Sequence, residues 1–303
     1  MSTTRANSVK STSLKSDVLL LITATIWGFA FVAQRAGMEF VGPFTFNAIR
    51  FALGALALAP FVWFGRKRPH PSRVPTFSRP FLFGTALAGT ILFLGSTFQQ
   101  TGIVYTTAGK AGFITGLYVI LVPILGLALG HKTDLKTWAG ALLAVGGLYF
   151  LSVRGNFKIQ TGDLLVLVSA FFWASHVLVI DNLSPKFDTF RLALLQFLVC
   201  SILSLVAALW VEEIMWVKIL QAAVPILYAG VLSVGIAYTL QVVAQKNAHP
   251  SHAAIIMSLE SVFAAVGGWL VLGEKLSPRE SLGCLLMFTG MILSQLQWPG
   301  RKG

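Results

Sequence analysis

Asp17-Val-Leu-Leu-Leu-Ile-Thr-Ala-Thr-Ile-Trp27 and Asp163-Leu-Leu-Val-Leu-Val-Ser-Ala-Phe-Phe-Trp173 match along their length, and both are almost wholly apolar. The correspondence continues outward. Gly130, Gly140 and Gly147 in the first half align with Gly273, Gly283 and Gly290 in the second. An apolar chain built twice from one pattern is the sequence signature of many secondary transporters, which bind substrate between their repeats.

Composition leads to the same class. Of 303 residues 55% are hydrophobic and 11% charged, and the mean hydropathy is +0.76. A soluble domain carries about 25% charged residues. The surplus apolar surface must therefore face lipid, which makes the bilayer the first partner. The formal charge of +12 does not point to nucleic acid, because the basic residues sit in short loops and no soluble domain is left to carry such a site. Cys200 and Cys284 lie inside apolar runs with no zinc spacing and no disulfide framework, so they read as small buried hydrophobes.

A spanning helix needs roughly 20 mostly apolar residues. Breaks at Gly, Pro and charge clusters give ten candidates: 17–35, 43–64, 80–101, 106–129, 134–153, 162–181, 189–211, 222–245, 251–272 and 278–297. The fold class expected is all-α integral membrane, with a tail at 1–16, a first repeat at 17–153, a second at 162–297 and a tail at 298–303. Five spans per repeat is an odd number, so the second repeat must be inverted relative to the first. Lys and Arg concentrate in the segments on the side of the N-terminus, above all in the loop Gly65–Arg79, which predicts both termini in the cytoplasm. The first apolar run is long, lacks a small-residue cleavage site and has its counterpart at 163–181, so it reads as a retained helix rather than a signal peptide.

Enzyme motifs are absent: the chain has no HExxH, GxSxG, P-loop, GxGxxG or CxxC pair, and its histidines show no metal-ligand set. No cofactor or metal is expected. Glu260 is the most informative single residue, because it lies near the middle of a span. A carboxylate there costs at least about 2.5–3.5 kcal/mol on insertion scales, so it should face a cavity or a partner. It reads equally as a proton carrier and as a hydrogen-bonded tie between helices. Arg50 also lies within a span. A guanidinium can anchor a carboxylate or phosphate, but its nearness to the helix end favours a side chain snorkelling to the interface. The corresponding position in the second repeat is Gln196.

Asp17 and Asp163 start equivalent spans and read as helix caps. Trp27 and Trp173, ten residues further in, are a matched pair near the membrane centre, fitting either a cavity wall or helix packing. Polar side chains gather in the third, fourth, eighth and ninth spans, notably Gln99, Tyr118, Tyr238 and Gln241, and should face inward. Pro123 predicts a kink in the fourth span.

Ala244-Gln-Lys-Asn-Ala-His-Pro-Ser-His-Ala-Ala254, Ser258-Leu-Glu-Ser-Val-Phe263 and Gly273-Glu-Lys-Leu276 resemble the second repeat of the EamA family of the drug/metabolite transporter superfamily. Gly112-Phe-Ile-Thr-Gly-Leu-Tyr118 and Val122-Pro123 resemble its first repeat, so the resemblance covers roughly 17 to 297. It implies ten helices in two inverted five-helix repeats around a central cavity, with the fifth and tenth helices apart from the translocation bundle. It also implies an arginine matching Arg50 and a glutamate matching Glu260, and a setting such as the bacterial inner membrane. Two positions depart from the pattern. Ser261 stands where proline usually follows the glutamate, which removes the usual cause of a local bend. His131 stands where the first repeat would carry a glutamate, while Glu274 keeps it in the second.

The function expected is export of small metabolites by alternating access around a midplane cavity, with amino acids the preferred substrates. Candidate substrate-binding residues are Glu260, Arg50, Trp27, Trp173, Gln99, Tyr118, Tyr238 and Gln241, with Glu260 also the proton-coupling candidate. Export of drugs or other toxic compounds is the alternative within the class. An integral-membrane enzyme or a non-transporting sensor or scaffold are the alternatives outside it. The oligomeric state stays open.

Overall fold

The computed structural model describes residues 2–64, 78–106, 108–152, 160–272 and 277–295. Most of the basic loop Gly65–Arg79, the Gly273–Leu276 motif with Glu274, and the C-terminal tail lie outside the described residues. The described chain is helical: α1 (Ser2–Gly37), α2 (Pro43–Phe64), α3 (Arg79–Tyr105), α4 (Ala108–Gly116), α5 (Tyr118–Ala128), α6 (Leu135–Ser152), α7 (Thr161–Leu183), α8 (Thr189–Val211), α9 (Trp216–Gln221), α10 (Ala223–Leu227), a π-helical segment Tyr228–Tyr238, α11 (Thr239–Gln245), α12 (Pro250–Met257), α13 (Glu260–Leu272) and α14 (Pro278–Gln295). Seven stretches are long and apolar enough to cross a membrane: Leu14–Gly37, Pro43–Phe64, Arg79–Tyr105, Ala111–Ala128, Thr161–Leu183, Thr189–Val211 and Ala223–Gln245. Leu135–Phe150, Pro250–Val266 and Ser281–Ser294 are shorter apolar helices, each falling on one of the remaining expected spans.

The packing partners repeat when the halves are exchanged. α6 lies on α14, its counterpart, and α2 lies on α8, its counterpart; α3 packs on α7, and the π-helical segment on α1. Glycines set the closest approach, as expected where lipid gives no hydrophobic drive between helices. A methyl group at Gly140 would lie 2.6 Å from the Gly290 carbonyl oxygen, and one at Gly147 would lie 2.6 Å from that of Gly283. These two contacts show α6 and α14 running antiparallel. The same holds for α2 and α8. Glu212 reaches the start of α2, accepting from the Phe44 and Thr45 amides at 2.8 Å, while Ser201 donates to the Ala48 carbonyl at 2.8 Å and Phe51 meets Phe197 a turn further on.

Two helices are broken at nearly equivalent places. α4 and α5 part at Leu117, and α12 and α13 part at Ser258–Leu259. Pro123 lies inside α5, more than a turn beyond the break, so the discontinuity in the fourth span does not sit at the proline. At Leu117 the amide bonds back to the Ile114 carbonyl, and at Leu259 to that of Ile256, a tightened i−3 pattern in both. The bend near Glu260 forms without the family's proline. Ser258 donates its hydroxyl to the Ile255 carbonyl at 2.8 Å, the local side-chain-to-backbone bond that competes with regular helix.

Asp163 caps as expected, in a capping box with Gln160 at the start of α7. Asp17 does not. The polar stretch before it is helical back to Ser2, so Asp17 is interior to α1, and its carboxylate instead meets His252.

Candidate functional site: a central cavity

Where α1, α3, α7 and the π-helical segment converge on the two breaks, they line a narrow cavity of about 40 Å³. All eight residues singled out from the sequence line it: Trp27, Arg50, Gln99, Tyr118, Trp173, Tyr238, Gln241 and Glu260. Among the described residues, α6 and α14 contribute none to the lining.

Arg50 does not snorkel. It is only 3% exposed, its guanidinium lies 5.0 Å from the Phe51 ring centre and 5.6 Å from that of Phe46, and its Nε has no hydrogen-bond partner. The reason is rotational rather than axial. α2 buries the Arg50 face against α8 and the π-helical segment, so the side chain has no path along a lipid-facing surface. Glu260 opens α13, is 4% exposed, and its Oε1 also lacks a partner. Among the described residues neither forms an ion pair. Thr115 Oγ1, the Tyr118 hydroxyl, Gln34 Oε1 and Gln241 Oε1 are buried without partners around the same space. Buried polar atoms are normally satisfied, so their convergence marks a place built to receive polar groups.

The rest of the wall is aromatic and fixed. Trp173 donates its indole N–H to Gln99 Oε1 at 2.7 Å, and Trp27 donates to the Ser233 carbonyl at 3.3 Å. Tyr238 stands between the two indoles, 4.6 Å from Trp27 and 6.0 Å from Trp173 between ring centres. Thr23 donates to the Ala237 carbonyl at 3.2 Å and Tyr228 to that of Ile26 at 3.1 Å, so α1 is stitched along the π-helical segment. Wide helical turns of this kind recur at functional sites.

Several lining residues escaped the sequence reading, among them His176, Phe31 and Gln34. His176, bonded through Nε2 to Gln196 Oε1 at 2.9 Å, is one turn from Trp173 on the same helix face. Phe31 and Gln34 follow Trp27 by one and two turns. The i+3, i+4 and i+7 spacing from each tryptophan was the available signal.

A family model described as the EamA-like transporter family matches residues 14–153 and 160–296. The chain belongs to this family. An uncharacterized transporter of Archaeoglobus fulgidus is 34% identical over 290 residues, covering 94% of this chain and 87% of the relative. The threonine/homoserine exporter RhtA of Escherichia coli is 26% identical, covering 88% and 85%. A crystal structure with 17% identity superposes with a TM-score of 0.77 over 92% of this chain and 96% of its own, a likeness of fold. Family and relatives alike identify a membrane transporter and not an enzyme.

Proposed function

We propose that this chain exports small metabolites, amino acids foremost, by rocking two inverted five-helix repeats, 17–153 and 162–297, about the central cavity. The antiparallel pairing of equivalent helices, α6 on α14 and α2 on α8, supports the inverted arrangement. Each half also carries a broken helix whose ends meet the cavity, the usual setting of transporter sites. The loop charges support a cytoplasmic N-terminus, and the family resemblance supports a bacterial inner-membrane setting.

The observation that carries the substrate reading is one buried guanidinium and one buried carboxyl facing a common cavity without pairing to each other. Arg50 would take a carboxylate and Glu260 an ammonium, with the indoles packing the side chain between them. That the relative RhtA is a threonine/homoserine exporter agrees with this class. A proton carried by Glu260 would couple flux to a pH gradient. The second reading, export of flat organic cations, is favoured by Trp27, Tyr238 and Trp173 standing as one aromatic wall.

Uptake of a labelled amino-acid panel into proteoliposomes, with and without an imposed pH gradient, tests both. Saturable amino-acid uptake lost in Glu260→Gln and in Arg50→Ala supports the zwitterion reading. Flux of the same solutes unchanged by both substitutions removes it. Competition by aromatic cations that persists in Arg50→Ala supports the second reading.

A further inference from the structure

The spacing that pairs Trp27 with Trp173 also pairs Arg50 with Gln196 and Ala30 with His176. The first half thus carries its polar group on α2 and a small residue on α1. The second half reverses this, with an imidazole on α7 and a shorter polar side chain on α8. Arg50 lines the cavity itself, whereas Gln196 is fully buried and does not. His176 takes its place. The ring lines the cavity, and its Nε2 lies 2.9 Å from Gln196 Oε1.

That bond fixes which end of the imidazole an occupant meets. Nε2 points out of the wall toward α8, so Nδ1 is the ring nitrogen left for the cavity, and among the described residues it has no hydrogen-bond partner. Trp173 and Tyr238 set the plane of the ring, which meets them edge-on at 88° and 89° with centres 6.4 and 6.3 Å apart. The arrangement carries a stability cost. The amide nitrogen of Gln196 is buried without a partner, and a buried donor left unsatisfied forfeits its hydration. Two apolar side chains would fill the same slot without that loss, so packing alone does not account for the pair.

We propose that His176 is a specificity-determining residue that bonds a hydroxyl on the substrate's side chain through Nδ1, and that Gln196 is its positioning residue. The inference rests on the amino-acid reading and names the side chain that reading left open. Arg50 and Glu260 are committed there to the carboxylate and the ammonium, and His176 is a third polar anchor, from the second half of the chain. With the amide as placed, Nε2 donates to Gln196 Oε1 and Nδ1 accepts; with the amide turned over, Nδ1 carries the proton and donates. A hydroxyl is donor and acceptor at once and matches either state, while a methyl matches neither. At about 40 Å³ the cavity has room for about three water molecules at roughly 10–15 Å³ each, which favours a short side chain.

Threonine and valine test this, because they are near-isosteres that exchange a hydroxyl for a methyl. Initial uptake of each, labelled, is measured in proteoliposomes, and the ratio of their kcat/KM values is read. Wild type should favour threonine by about tenfold, the effect of one net hydrogen bond. His176→Phe should bring the ratio near one by lowering threonine flux while valine flux stays. His176→Asn keeps a polar group where Nδ1 stands and should retain the preference; His176→Gln keeps one where Nε2 stands and should lose it. That pair of variants holds the test if His176→Phe fails to fold. Gln196→Leu should lower the ratio roughly threefold by releasing the ring, with valine flux again unchanged. A merely structural pair would lower both fluxes alike. Melting supplies a second arm that needs no substrate. His176→Phe combined with Gln196→Leu should melt at or above wild type, because both partners of the buried bond leave together. A double variant melting well below wild type makes the pair a structural tie and overturns the proposal. A wild-type ratio retained in His176→Phe also overturns it and leaves the amino-acid reading standing. Wild type that moves no amino acid at all removes that reading, and this inference with it.

Discussion

Ser261 donates its hydroxyl to the Gly112 carbonyl at 3.1 Å, joining the two broken helices beside the cavity. Ser261 is the second residue of α13, and Gly112 lies within α4. In the rocking motion proposed above, the bond crosses between the two halves that move past each other. Ser261→Ala should lower thermal stability in detergent by about 1 kcal/mol, the worth of a typical hydrogen bond, and should alter turnover more than apparent affinity. Ser261→Pro also removes the bond from the Ser261 amide to the Ser258 carbonyl at 3.2 Å, and should cost about 0.5–1.5 kcal/mol beyond that loss. A fall in affinity with turnover intact in Ser261→Ala would place the hydroxyl in substrate contact instead.

Gly140 and Gly146 make a matched test on one helix. A methyl at Gly140 meets the Gly290 carbonyl oxygen at 2.6 Å and Ser294 Cβ at 3.1 Å, whereas one at Gly146 meets nothing within 4 Å. Gly140→Ala should therefore push α6 off α14 and cost about 1–3 kcal/mol, the range for overpacking. Gly146→Ala should be neutral or stabilising by roughly 0.5–1 kcal/mol through helix propensity. Melting of the two purified variants decides it, and equal melting temperatures would show that the α6–α14 seam yields freely.

The cavity residues were legible because each was a polar or aromatic group at a depth where hydrocarbon has no use for it. Glu260, Gln99 and the two tryptophans betray themselves that way in any apolar run. Depth does not give rotation, which is why Arg50 read as a snorkelling side chain and proved buried. Asp17 read as a cap because the polar stretch before it looked like a tail. That stretch is helical, which leaves the carboxylate free for His252. The break at Ser258–Leu259 was hidden for a different reason. Proline announces a bend, while a serine bonding its own backbone looks like any other polar residue in a span.

Gln99 and Trp173 should show the asymmetry of a buried polar pair. Their hydrogen bond at 2.7 Å leaves the indole N–H nowhere else to donate in a wall of rings. Gln99→Leu strands that donor and should cost about 1–3 kcal/mol. Trp173→Phe added to Gln99→Leu removes the stranded group, so the double variant should melt higher than Gln99→Leu alone once the smaller ring's lost packing is allowed for by the Trp173→Phe single variant. Strict additivity in that cycle would mean that the bond contributes nothing to the wall.

Asp134 gives a pH dependence with a definite sign. It stands at the N-terminus of α6 and accepts the Thr137 amide at 2.8 Å. Hydrogen bonding from Thr137 holds its carboxyl below the usual carboxylate range, against partial burial, with the charges of Lys136 and His249 assisting. A carboxyl depressed in the folded state contributes stability above its unfolded value, about 3.9, and loses it as pH falls through the folded value. Asp134→Ala should therefore lower the melting temperature at pH 7 and also at pH 5. The difference from wild type should shrink below about pH 4 and vanish once the folded carboxyl is protonated. A gap that stays constant from pH 7 down to pH 3 would show that the neutral side chain caps α6 as well as the charged one.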